Sequence, residues 1–215
     1  QIFMKICDAL AFAHSRGVVH QDIKPENIML GEFGEVILAD WGTAYEVRDK
    51  GYIETGRIIG TPAFMSPEQA NRERVDKRSD IYCLGASFFN TLTRRHPIMS
   101  SDPDDFWDKK KNGIIDMPTQ EELKKFPPPV LSIAMKAMHK DPAKRYQTVE
   151  DFALDLKAYQ AGLAVSAYKD TLPEFIKRWY KRNTHFFWSA FTVTSVILLL
   201  VFFVYQQRLK EIARW

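Results

Sequence analysis

Two short motifs, His20-Gln21-Asp22-Ile23-Lys24-Pro25-Glu26-Asn27 and Asp40-Trp41-Gly42, constrain this chain more than any other feature. Between them, Glu35 to Ala39 reads as a buried strand that delivers Asp40 to the first motif. The pair assembles a carboxylate able to accept or orient a proton, Asp22, and a cation suited to a phosphoryl group, Lys24. It adds two hard oxygen ligands of the kind Mg²⁺ takes, Asn27 and Asp40. Any one of these residues alone reads as a solvated turn or cap. In this order and spacing they read as a site.

The motifs resemble the catalytic loop and the magnesium loop of eukaryotic-type (Hanks-type) protein kinases. Downstream, Gly60-Thr61-Pro62 and Met65-Ser66-Pro67-Glu68 resemble the substrate-docking loop and the A-P-E motif of that family. The resemblance implies a mainly α (α+β) kinase C-lobe that uses ATP with Mg²⁺, or Mn²⁺ in its place. It implies catalytic roles for Asp22, Lys24 and Thr61, and nucleotide binding by Lys24, Asn27 and Asp40, the last two through the metal. His20 then supports the magnesium loop, Asp80 anchors the catalytic-loop backbone, and Arg145 pairs with Glu68. Asp-x-Lys-Pro-Glu-Asn together with Thr61 resembles the serine/threonine version of the site, which implies protein substrates bearing those hydroxyls.

Some positions depart from the family pattern. Gln21 stands where the family carries an arginine that reads a phosphate on the activation loop. Control through Thr55, with Arg57 beside it, is therefore expected to be weak. Trp41 replaces a phenylalanine and keeps a large apolar ring. The chain opens inside an amphipathic helix, with Ile2, Phe3, Ile6, Cys7, Leu10 and Ala11 on one face and Gly17 ending it. No Gly-rich loop, strand lysine or partner glutamate precedes that helix. The sequence thus reads as a fragment holding the large lobe, and residues 1–161 alone are expected not to turn over ATP. The alternative class is a membrane-tethered pseudokinase scaffold; the intact Asp22, Lys24, Asn27 and Asp40 argue against it.

Hydrophobic residues make up 46% of the chain, ample for a core, and the net charge of +3 is too small to suggest a nucleic-acid partner. Cys7 and Cys83 fall on apolar faces and are expected as buried free thiols. Helices are expected from Ser79 to Leu92 as a central buried element, within 103–116 at the surface, from Val130 to Met138, and from Thr148 to Gln160.

The segments read as a kinase C-lobe over 1–161, a basic juxtamembrane linker over 162–185, a transmembrane helix over 186–205, and the start of an extracytoplasmic segment over 206–215. Phe186 to Tyr205 carries no charge, and twenty helical residues span about 30 Å, the thickness of a bilayer core. Lys169, Lys177, Arg178, Lys181 and Arg182 precede that run; Arg208, Lys210 and Arg214 follow it. The positive-inside rule favours a single-pass protein of the cell membrane with the kinase in the cytoplasm. Kinase plus late span resembles bacterial receptor-like serine/threonine kinases, whose partners include protein substrates and the lipid bilayer; a homodimer stays open.

Overall fold

The chain begins with an amphipathic helix, α1 (Ile2–Ser15), in the computed structural model, which describes residues 1–47, 51–54 and 56–212. Ile6, Cys7, Leu10 and Ala13 form its buried face, and Phe3 and Ala11 pack against the core beside them. Ile2, expected on that face, is 40% exposed in the first turn.

Six short strands follow among the described residues: β1 (Val18–Val19), β2 (Ile28–Leu30), β3 (Val36–Leu38), β4 (Tyr45–Glu46), β5 (Ile53–Glu54) and β6 (Arg74–Val75). They pair as three antiparallel ribbons, β1 with β4, β2 with β3 and β5 with β6. The expectation that β3 is buried needs correcting. Only Leu38 is buried and Ile37 is 56% exposed, because a two-stranded ribbon covers one face of its pleat and turns the other outward.

Helix α2 (Pro67–Ala70) starts with a capping box in which Ser66 and Gln69 satisfy each other's backbone N–H groups. Helix α3 (Lys77–Thr93), capped by Asp76, buries every residue from Ser79 to Phe89 and forms the axis of the core. Next come α4 (Pro103–Asn112), α5 (Gln120–Leu123), α6 (Pro128–Ala137) and α7 (Val149–Gln160), the last capped by Thr148, which accepts from the Asp151 N–H. Helices α3 and α6 approach so closely that a Cβ on Gly85 would lie 2.5 Å from the Ala137 Cβ. Glycine is therefore the residue that lets this contact form. The segment 103–116 is helix followed by loop as expected, with α4 ending at Asn112, but it is not wholly at the surface, since Lys110 is fully buried.

The described residues fall into two compact units, one up to Lys169 and one from Asp170 onward. In the second unit the stretch expected as linker carries a helix, α8 (Leu172–Arg182), and α9 (Thr184–Ile212) extends beyond both ends of the expected span. Helix α9 is long and apolar enough to cross a bilayer, and none of its apolar window is buried in protein. Both cysteines are free and buried. Burial, aided by Asp8, pushes the Cys7 thiol up to about 12, and burial pushes Cys83 up as well.

Candidate active site

The site is assembled around Asp80, a fully buried carboxylate in the first turn of α3. Its Oδ2 accepts from the backbone N–H of His20 at 2.8 Å and its Oδ1 from that of Gln21 at 2.8 Å. His14 Nε2, from the end of α1, lies 2.8 Å from Oδ2. These contacts hold Gln21 in a left-handed conformation, φ 73°, which non-glycine residues adopt only when the surroundings fix it. Asp22 follows at once, so the strained residue sets the direction in which the Asp22 side chain leaves the loop.

Asp22 meets one residue of its own loop and one brought from far along the chain. Its Oδ1 accepts from the Thr61 N–H at 2.7 Å, and its Oδ2 lies 3.0 Å from Lys24 Nζ. Lys24 Nζ also donates to Thr61 Oγ1 at 2.7 Å, which closes a triangle of Asp22, Lys24 and Thr61. Burial alone would raise the Asp22 pKa, but the hydrogen bonds from Thr61 and Lys24 outweigh it and hold the carboxyl below its ordinary range. Asp22 is thus ionised throughout neutral pH.

Gly60 makes the triangle geometrically available. Its φ is +105°, and a Cβ there would lie 2.7 Å from the Gln21 carbonyl oxygen. The same oxygen accepts from Gln69 Nε2 at 2.8 Å, and that nitrogen also donates to the Ile59 carbonyl at 3.2 Å, so a side chain of α2 ties the Gln21 loop to the segment before Gly60.

Asn27 is buried, and its Nδ2 donates to the Asp22 carbonyl at 2.9 Å, which turns its Oδ1 outward as an acceptor. The β2–β3 ribbon continues one step further, with the Ala39 N–H bonded to the Asn27 carbonyl at 2.8 Å. Asp40 therefore emerges next to Asn27, exposed and in a left-handed conformation, φ 60°. One carboxylate and one amide oxygen suit Mg²⁺, which keeps water and phosphate oxygens in its remaining positions. No cluster of three His, Cys, Asp or Glu side chains fit to hold a metal occurs among the described residues. His20 sits beneath this corner. Its Nδ1 accepts from the Asp22 N–H at 3.3 Å, which leaves Nε2–H to donate to the Ala39 carbonyl at 3.2 Å, and its ring lies 4.5 Å from that of Trp41. Gln21 Nε2 donates to the Thr43 carbonyl at 2.7 Å, while its buried Oε1 has no partner among the described residues. Thr55 lies outside the described residues.

Behind the docking loop, Glu68 receives Arg145 at two points, Nη1 to Oε1 at 2.6 Å and Nη2 to Oε2 at 2.7 Å, with Ser79 Oγ donating to Oε1 at 2.6 Å. The remaining Arg145 donors reach the carbonyls of His139, Arg78 and Lys140. Burial would raise the Glu68 pKa, but Arg145 and Ser79 outweigh it and hold the carboxyl ionised. Sequence reading missed four residues of this framework: His14, Ser79, Gln69 and Lys110. Lys110 gave no signal, sitting between Lys109 and Lys111 in a polar helix. Yet it is fully buried and donates to the carbonyls of Ala63 and Met65 in the docking loop, at 3.2 and 3.1 Å. Burial lowers its pKa to about 8.

Comparison with known proteins follows the same lines. The family described as protein kinase domain matches residues 1–154. The serine/threonine-protein kinase PknD of Protochlamydia amoebophila is 32% identical over 180 residues, covering 75% of this chain and 18% of that protein. PknD of Chlamydia caviae is 33% identical over 185 residues, covering 75% and 19%. The serine/threonine-protein kinase PknB of Mycolicibacterium smegmatis is 34% identical over 173 residues, covering 79% and 27%. The chain thus spans between 18% and 27% of the length of these curated relatives. A mainly helical lobe built on the Asp80-anchored loop, matched over most of its length, establishes that this chain belongs to the protein kinase domain family.

Proposed function

We propose that this chain carries the site through which a membrane-anchored kinase transfers the γ-phosphoryl group of ATP to serine and threonine hydroxyls of proteins. The observation that carries this reading is the triangle of Asp22, Lys24 and Thr61. Phosphoryl transfer through a loose transition state asks a protein mainly for positioning and for neutralisation of charge. Asp22, kept ionised, offers an acceptor to an incoming hydroxyl. Its lowered pKa makes it a weak base, suited to orienting the hydroxyl first and taking its proton late. An ammonium has three donors, and Lys24 has one left for a phosphoryl oxygen. Bound Mg²⁺, or Mn²⁺ in its place, would neutralise phosphate charge, and Asn27 and Asp40 supply protein oxygens for it. Thr61 presents its hydroxyl to Lys24, in keeping with serine/threonine substrates.

Anchoring rests on α9, whose length and apolar composition suit a single span of the cell membrane. The basic residues ahead of it favour the cytoplasmic side for the kinase, where ATP is found.

The deciding experiment is Asp22→Asn in the full-length protein. It keeps the side chain's shape and removes the proton acceptor, so phosphorylation of a protein substrate should fall on the order of a hundredfold while the protein stays folded. Near-normal phosphorylation would overturn the assignment. Protease treatment of sealed vesicles tests sidedness: the kinase unit should be cut only from the cytoplasmic face.

A further inference from the structure

Helix α8 separates its side chains completely. At 3.6 residues per turn, Leu172, Pro173, Phe175, Ile176, Trp179 and Tyr180 share one arc of roughly 160°. Glu174, Lys177, Arg178, Lys181 and Arg182 occupy the rest. Toward its N-terminal end the apolar arc is open: Leu172 is 78% exposed, Phe175 58% and Ile176 59%. Such a face on a short, basic helix needs an apolar phase to rest on.

The position of α8 identifies that phase. A single residue, Asn183, separates its end at Arg182 from the start of α9 at Thr184, so a membrane entered by α9 lies immediately beside it. Phe187, one turn into α9, packs its ring 5.3 Å from Trp179 and 5.0 Å from Tyr180. The two helices therefore form an apolar corner, with an open cavity of about 690 Å³ between Leu172, Ile176, Trp179 and Phe187. Arg178 is paired with Asp170 at 2.6 Å, and the remaining Lys177, Lys181 and Arg182 against Glu174 match the negative charge of an anionic leaflet.

We infer that α8 is a membrane-interface helix: it lies along the leaflet with its apolar arc sunk at the headgroup boundary and its basic arc on anionic phospholipid headgroups. The inference rests on the reading of α9 as a membrane span and adds the second contact. A peripheral amphipathic helix of this kind sinks about 5–10 Å and responds to lipid charge. It would fix where the kinase unit leaves the membrane.

Nitroxide labels attached singly at positions 172, 176, 177, 181 and 198 of the full-length protein test this in phosphatidylcholine vesicles with and without phosphatidylglycerol. Contact with dissolved oxygen and with a water-soluble nickel complex is read at each label. With phosphatidylglycerol present, labels at Leu172 and Ile176 should meet oxygen freely and nickel severalfold less than labels at Lys177 and Lys181, with Leu198 deepest. Lys181→Gln should lower the ratio of immobilised to mobile signal from the Leu172 label by about fivefold.

If Leu172 and Ile176 meet nickel as readily as Lys181 while Leu198 stays deep, the interface helix is wrong and the span stands. If they are shielded from both probes whatever the lipid, protein covers the face, which also overturns the inference. If Leu198 itself meets nickel, the membrane reading fails first.

Discussion

Arg145 reaches Glu68 across 77 residues and places both of its terminal nitrogens on both carboxylate oxygens, at 2.6 and 2.7 Å, in a buried setting. The pair ties the segment after α6 to the start of α2, directly behind the loop that carries Thr61.

Removing one partner leaves the other charge buried and alone. Arg145→Met should therefore destabilise the kinase unit by about 3–5 kcal/mol, whereas Glu68→Gln in the Arg145→Met background should recover part of that loss. Chemical denaturation of the two variants measures it. Glu68 has a lowered pKa in the fold, so the unfolded state takes up its proton first as pH falls. The pair's contribution is present above the ordinary glutamate range and is lost as pH drops through the folded value.

Gly60→Ala introduces a Cβ 2.7 Å from the Gln21 carbonyl oxygen at a φ that L side chains rarely adopt. Strain of about 1–3 kcal/mol is expected, relieved by moving the docking loop away from Asp22. Activity should fall more than stability does. Wild-type turnover with the same loss of stability would show that the Thr61 N–H contact is dispensable.

Lys110→Met separates two opposing effects. It removes a buried ammonium, and it leaves the Ala63 and Met65 carbonyls without their donor. The folded pKa of Lys110 is about 8, below the ordinary lysine value, so between pH 8 and that value the unfolded state holds more protons. Wild-type stability should therefore gain relative to Lys110→Met as pH rises from 8, by up to about 3 kcal/mol over the window. Thermal unfolding across that range reads the difference. Independently, the KM for a peptide substrate should rise in the variant while ATP binding stays unchanged, because the loosened loop faces the peptide.

Gln21 carries no charge and already uses its Nε2 on the Thr43 carbonyl. Thr55→Ala should change activity in the full-length protein by less than about threefold. In a Gln21→Arg background the same change should cost more, since a guanidinium can pair with a phosphate. A single Thr55→Ala that abolishes activity would show that the activation loop is phosphate-controlled after all.

The residues of the candidate site were easy to pick out in the sequence because one short loop holds Asp22, Lys24 and Asn27, and a predictable ribbon brings Asp40 beside them. Helices α3, α6 and α7 were legible for a similar reason, since apolar periodicity and caps such as Thr148 act within a few residues. Other features were set only by the tertiary structure. Lys110 looks like its solvated neighbours until α4 packs on the docking loop and its ammonium finds two carbonyls. His14 becomes part of the anchor only because α1 ends against Asp80. Ile37 is left outward by a two-stranded ribbon, and the basic stretch after Lys169 carries an amphipathic helix over Leu172–Arg182. Local sequence sets which side chains can do chemistry. Burial, backbone partners and the strained turn at Gln21 depend on residues far apart in the chain, and only folding brings them together.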